Sequence, residues 1–164
     1  MKNTLMKNTL MMLVVLAAGV SGAAEKQVKQ QVKSLSIQVP ESWERSQENG
    51  TEKFDAPTGG TFFLLDVGQV QTAGMKADVC LDKILAGVGP DGWKKTQVAS
   101  QPAARRVSVD ATEDGKDKVE SIHYVGCNGK TTWSFIFSMN QMNREELEPV
   151  ASKVVQSISY TKGK

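Results

Sequence analysis

The 164-residue sequence is short of the residues from which most catalytic and metal centres are built: it has one histidine, His123, and two cysteines, Cys80 and Cys127. A structural zinc site takes four ligands from Cys and His, so these three leave it incomplete. The cysteines lie 47 positions apart, which excludes a C-x-x-C redox pair. The strand neighbours of His123 are Ser121 and Val125, with no acid in local reach. Cys127, four residues further along the same face, is about 13 Å away by strand rise. A nucleophile–base couple is therefore not assembled locally. The expectation is a non-enzyme with no catalytic residue, no metal site and no cofactor.

Excess charge is missing as well. The chain has 20 basic and 18 acidic residues, but Lys2 and Lys7 belong to an N-terminal leader, and without them 18 face 18. A neutral chain whose only basic group is Lys26, Lys29 and Lys33 offers little to a phosphate backbone, so no nucleic-acid partner is expected. Nor is there a long hydrophobic run. Leu10 to Val20 is about half of the roughly 20 residues that span a bilayer. Preceded by Lys2 and Lys7 and followed by Ser21-Gly22-Ala23-Ala24, it reads as a secretory signal peptide, residues 1–24, cleaved near Ala23 or Ala24. Translation from Met6 would keep that signal, because the pentad Met1–Leu5 recurs as Met6–Leu10; no other repeat is found. With no cysteine at the cleavage point, the product is expected to be periplasmic or secreted, without stable membrane insertion.

What is present is a β-rich chain of about 140 residues, enough for one domain with a real core. Its organising stretch is Lys118 to Met139, two strands around Asn128-Gly129, and a type I′ turn there would set Tyr124 opposite Trp133 and Ile122 opposite Phe135. Ile122, Tyr124, Trp133, Phe135 and Phe137 then form a core face; Ser121, His123, Val125 and Cys127 line the other. Residues 25–33 read as a solvated polar leader, and the domain as residues 34–160. Within it, 34–40 alternates as a half-buried strand ended by Pro40, and Trp43 is placed under a sheet edge. Strands follow at 51–57 and 61–70, the second apolar on both faces and so expected to be covered on both sides. An amphipathic helix spans 77–88, stopped by Gly89, Pro90 and Gly92. Strands at 93–100 and 104–111, an acidic tip at 110–117, the hairpin and a helix over 148–159, with Pro149 in its first turn, complete the chain.

Few side chains stand out as sites. Arg105 and Arg106 could clamp a carboxylate or phosphate, although such a pair is more often a strand's solvent side plus one snorkelling chain. His123 is weighed as a binding residue against a structural one. Asp110, Thr112, Asp114 and Gly115 imitate the first half of a calcium loop, but Ser121 stands where the bidentate glutamate belongs, which favours a plain acidic tip. Met139 to Met142 is either an adaptable contact surface or a lid on the hairpin. Export permits a Cys80–Cys127 disulfide worth about 4 kcal/mol in the chain-entropy model; two buried free thiols are the alternative.

Strands, a middle helix, more strands and a closing helix give an α+β layout, an antiparallel sheet of about six to seven strands covered by two helices. Val39-Pro40-Glu41-Ser42-Trp43, Phe54-Asp55-Ala56-Pro57, Pro102-Ala103 with Arg105, and Val154 to Ile158 give the chain its likeness: it resembles the PsbP-like fold, in particular the small exported DcrB-like group. Ser42 and Gln101 stand where glycine is usual, and Ile158 where phenylalanine is common. The matching motifs are structural, so the resemblance implies a fold and leaves function to the surface. Some exported members resemble immunity proteins against delivered toxins. The resemblance therefore implies a protein-binding domain, an inhibitor or immunity protein for an envelope-acting effector, expected as a monomer or weak dimer. The alternative is an envelope accessory or small-ligand carrier using the space behind Phe62 to Val67.

Overall fold

The computed structural model describes residues 25–161 apart from 73 and 113, so the signal peptide expected at 1–24 lies outside the described residues. Three strands make a small sheet: β1 (Gln27–Val32), β2 (Leu35–Pro40) and β10 (Ser159–Tyr160), with β2 in the middle. Seven make the large one, entirely antiparallel: β3 (Glu44–Glu48), β4 (Thr51–Asp55), β5 (Phe62–Gln69), β6 (Lys94–Val98), β7 (Gln101–Ala111), β8 (Lys118–Cys127) and β9 (Thr131–Asn140). Their spatial order is β3-β4-β5-β9-β8-β7-β6. Helix α1 (Ala77–Val88) covers one face over β7 and β8, and α2 (Arg144–Gln156) packs on the other together with β2. This is the expected α+β layout, an antiparallel sheet of seven strands with two helices, to which the structure adds a second, three-stranded sheet.

The main core lies between the large sheet and the layer formed by α2 and the small sheet. Phe54, Phe63, Phe135 and Phe137 from the strands meet Leu35, Ile37, Ala151, Val154 and Val155. Phe54 and Phe63 stack at 4.5 Å, and Trp43 closes the edge 5.7 Å from Phe63 and 5.8 Å from Phe137, the position its sequence context suggested. The second core, under α1, is small: Leu81, Ala104 and Val125, flanked by Ile84, Leu85 and Trp93.

The hairpin turn is displaced by one residue from its expected place. Asn128 does not enter the left-handed region; its side chain accepts from the Lys130 and Thr131 N–H groups at 2.9 and 2.8 Å, and Gly129 alone has positive φ, +85°. The central residues are thus Gly129 and Lys130, with glycine first, as in a II′ turn. Cys127 pairs with Thr132, Tyr124 with Phe135 and Ile122 with Phe137. A displacement of two in the pairing leaves every side chain on its expected face, so the core prediction survives the wrong register. Gly126 now sits opposite Trp133, where a Cβ would lie 2.4 Å from the indole. The Asn-Gly turn with both residues at positive φ occurs instead at Asn49 and Gly50, joining β3 to β4.

Other expectations are corrected. The polar leader at 25–33 contains β1, whose backbone pairs with β2 along its whole length and whose Val32 is buried; a strand edge needs hydrogen-bonding partners more than an apolar face. Strand β3, exposed at every position, has no hydrophobic pattern to announce it. Helix α2 begins at Arg144, not Glu148, because a 3-10 turn at Gln141–Asn143 feeds directly into it; Pro149 sits in the second turn and removes one N–H near the helix start. The helix ends at Gln156, and Ser159–Tyr160 joins the small sheet instead. Finally, α1 lies over β7 and β8, so β5 is covered on one side only: Phe63, Leu65 and Val67 are buried, while Phe62 and Leu64 are half-exposed.

Candidate functional site

Neighbours on a strand point to opposite faces, so Arg105 and Arg106 cannot clamp one ligand together. They open two separate sites. Arg105 faces α2, its guanidinium 5.9 Å from the Tyr124 ring centroid, and Nη2 donates to Glu148 Oε1 at 2.6 Å. The other oxygen of Glu148 accepts from Arg144 Nε at 3.0 Å, one turn earlier on α2. Arg144 is shared with a second carboxylate, Glu120, which is fully buried; Nε approaches Glu120 Oε1 to 3.3 Å and Nη1 reaches Oε2 at 3.5 Å. The Oε1 contact is close enough for ion pairing yet too poorly aligned to be a hydrogen bond. Arg105, Arg144 and Glu148 border a cleft of about 580 Å³ between α2 and the sheet, lined also by Ile122, Tyr124 and Pro149, with Glu120 buried behind Arg144. Val109, paired with Glu120, and Met142, in the turn that leads into α2, are 45% and 84% exposed. The Glu148 hydrogen bond, reinforced by both carboxylate charges, raises the Arg144 pKa, so it stays a cation at any working pH.

On the α1 face, Arg106 pairs directly with His123 across β7 and β8. Its guanidinium lies 4.9 Å over the Trp93 ring, and Trp93 meets His123 edge-on at 6.5 Å. His123 Nε2 is 3.2 Å from Ser108 Oγ. Desolvation first, and the Arg106 charge second, lower the His123 pKa against a weaker pull from Asp110, so the ring is neutral at pH 7. A neutral histidine beside serine suggests a hydrolase, but among the described residues no third side chain hydrogen-bonds His123 to orient it, and Asp110 bears on it as a charge alone. Of the three binding candidates named from sequence, the structure brings Arg106 and His123 together and separates Arg105 from both.

Cys80 and Cys127 form a disulfide that ties the first turn of α1 to the end of β8, which removes any thiolate from the His123 face. The 110–117 tip is closed by Thr112, whose hydroxyl donates to Asp114 at 2.6 Å and whose N–H bonds to the Asp117 carbonyl at 3.0 Å. Among the described residues no cluster of three or more His, Cys, Asp or Glu side chains is arranged to hold a metal. Met139 is buried at the hairpin end, so only Met142 of that loop offers a contact surface. Sequence reasoning missed Glu120, Tyr124, Trp93, Arg144 and Glu148 as site residues. Arg144 and Glu148 stand at i,i+4 spacing, and Glu120 has the same strand parity as Ile122 and Tyr124; both signals were available.

No protein-family model and no curated protein matches the chain. Solved structures do. One, from Bacteroides thetaiotaomicron, superposes with a TM-score of 0.65 at 14% identity over 84% of this chain, which spans only 49% of that protein. Another, LpqN, involved in cell envelope biogenesis of Mycobacterium tuberculosis, gives 0.51 at 12% identity over 87% of this chain and 88% of its own. The cyanobacterial PsbP of Synechocystis gives 0.44 at 10% identity over 89% of this chain and 98% of its own. Identities this low speak to the fold alone. No helix among the described residues is long and apolar enough to cross a membrane. The chain is similar in fold to the Bacteroides thetaiotaomicron protein and to LpqN, and its described residues carry two arginine-centred surface sites.

Proposed function

We propose that the chain is an exported, non-catalytic protein-binding domain that docks its partner on the cleft beside α2. The observation that carries this reading is the Arg105–Glu148–Arg144–Glu120 chain of ion pairs, set around Tyr124 and flanked by exposed Val109 and Met142. Arginine and tyrosine on rigid elements, beside accessible apolar side chains, are the composition of interface hot spots. The groups are already oriented by one another, so a partner meets them without ordering them first. The disulfide and the envelope role of LpqN support placement outside the cytoplasm.

Within this reading the partner is an envelope-acting effector, and the domain is its inhibitor or immunity protein. The test is to challenge immobilised mature chain, residues 25–164, with envelope extract of its host and to assay what is retained. A hydrolase held and silenced at one-to-one ratio supports the inhibitor role. A retained protein whose activity is unchanged favours the envelope accessory role. The small-ligand carrier reading draws less support, since Phe63, Leu65 and Val67 of β5 are packed into the core.

A further inference from the structure

Arg45, Arg105 and Arg144 each hold a carboxylate; Arg106 holds none among the described residues. Its Nε is closed off from solvent without an acceptor, and so is the indole N–H of Trp93, on which the guanidinium lies at 4.9 Å. Its terminal nitrogens make no hydrogen bond among the described residues, and neither is closed off as Nε is. The placement is built into the backbone. Gly92, just before Trp93, adopts φ +76°, a conformation that favours glycine, and a Cβ there would stand in van der Waals contact with the Arg106 side chain. The guanidinium lies 4.9 Å from the ring centroid, a cation–π contact, and a guanidinium fork suits a two-oxygen acceptor. Beside it, on the same strand face, Ser108 and His123 are 3.2 Å apart; with His123 Nε2–H donating to the Ser108 hydroxyl, the hydroxyl proton is left to donate outward.

We propose that Arg106, stacked on Trp93 next to His123 and Ser108, is a binding site for an oxyanion, a carboxylate or a phosphate group. It lies on the face opposite the α2 cleft and does not depend on the protein-docking reading. Arg106 supplies the charge and the paired donors, Trp93 packs against the guanidinium, and the Ser108 hydroxyl, held by His123, donates to a remaining oxygen. Acetate and inorganic phosphate present the two sources of this chemistry separately.

The test is a titration of the isotope-labelled mature chain with sodium acetate or sodium phosphate, sodium chloride serving as the ionic-strength control, followed by NMR at the Arg106 Nε–H and Trp93 indole N–H resonances. The expected result is saturable movement of both in the millimolar range with at least one oxyanion and not with chloride. Arg106→Lys weakens the response of the Trp93 resonance about tenfold, because one ammonium replaces a planar fork. Arg106→Gln abolishes it, and the dispersion of the remaining spectrum in either variant reports the fold. Lys29→Gln, on the distant edge strand, leaves the response intact. Movement that chloride reproduces, or that persists in folded Arg106→Gln, overturns the site. A response to acetate alone identifies a carboxylate, such as an acidic side chain, and one to phosphate alone a phosphorylated ligand.

Discussion

Removing the disulfide with Cys80→Ala and Cys127→Ala should cost far more than the small core beneath α1 could restore. The bridge closes a loop of 47 positions, which in the chain-entropy model is worth about 4 kcal/mol. What otherwise holds α1 is limited: Leu81 against Ala104 and Val125, partial cover from Ile84, Leu85 and Trp93, and a Lys95–Asp82 pair at 2.6 Å that is largely exposed and adds little. The loss should therefore appear at two levels. Urea unfolding of the double variant should give a stability lower by about 4 kcal/mol, and Tm should fall by roughly 10–20 °C. Hydrogen exchange should find the α1 amides opening well before those of β5, β8 and β9, whereas in the bridged protein they open closer to global unfolding. A loss under about 1 kcal/mol, or α1 amides as protected as those of β9, would refute the argument that the bridge holds the helix.

Four further outcomes follow from contacts elsewhere in the fold. Gly126→Ala places a Cβ within 2.4–2.8 Å of the buried Trp133 ring, so urea unfolding should show a loss of about 2–3 kcal/mol; a change below about 0.5 kcal/mol would mean that the indole, held to Tyr160 Oη at 2.8 Å, can move aside. Because the folded pKa of His123 lies below the ordinary histidine value of 6.5, the unfolded chain binds the proton first, and stability should decline as pH falls below about 6.5; His123→Asn should flatten that limb. Glu52 acts at lower pH. Its hydrogen bond from Arg45 holds its pKa below 4.5, so its stabilisation is complete above that value and lost on further acidification, a limb that Glu52→Gln should remove. Arg144→Ala leaves the buried Glu120 carboxylate without its cation and should lower the urea midpoint, while adding Glu120→Gln should raise it again; additive losses in the pair would contradict the coupling.

Much of this architecture was legible because apolar periodicity survives errors of register. The helix at 77–88 was marked at both ends by its stripe and its glycines, and the faces of β8 and β9 followed from alternation alone. The turn was not legible, since Asn128 could either enter the left-handed region or cap the turn with its side chain, and only the tertiary setting decides. That setting includes the Met75 carbonyl, which lies where a Cβ on Gly129 would stand. β1 and β3 were hidden because polar edge strands are defined by their partners. The sites were half visible. Arg105 and Arg106 drew notice as a pair, yet strand parity, known from the start, already sent them to opposite faces. Glu148 and Trp93, which give each arginine its setting, come from distant segments, and no local pattern announces such a meeting.

The central claim, that the α2 cleft is a protein-docking face outside the cytoplasm, is tested most directly by photo-crosslinking in the intact host. A photoreactive residue replaces Ser152, exposed and lining the cleft, and in a second strain Lys29, exposed on β1 and remote from it. The account predicts one dominant envelope protein crosslinked through position 152 and little or none through position 29. No adduct at 152, equal adducts at both positions, or an adduct with a cytoplasmic protein would contradict it.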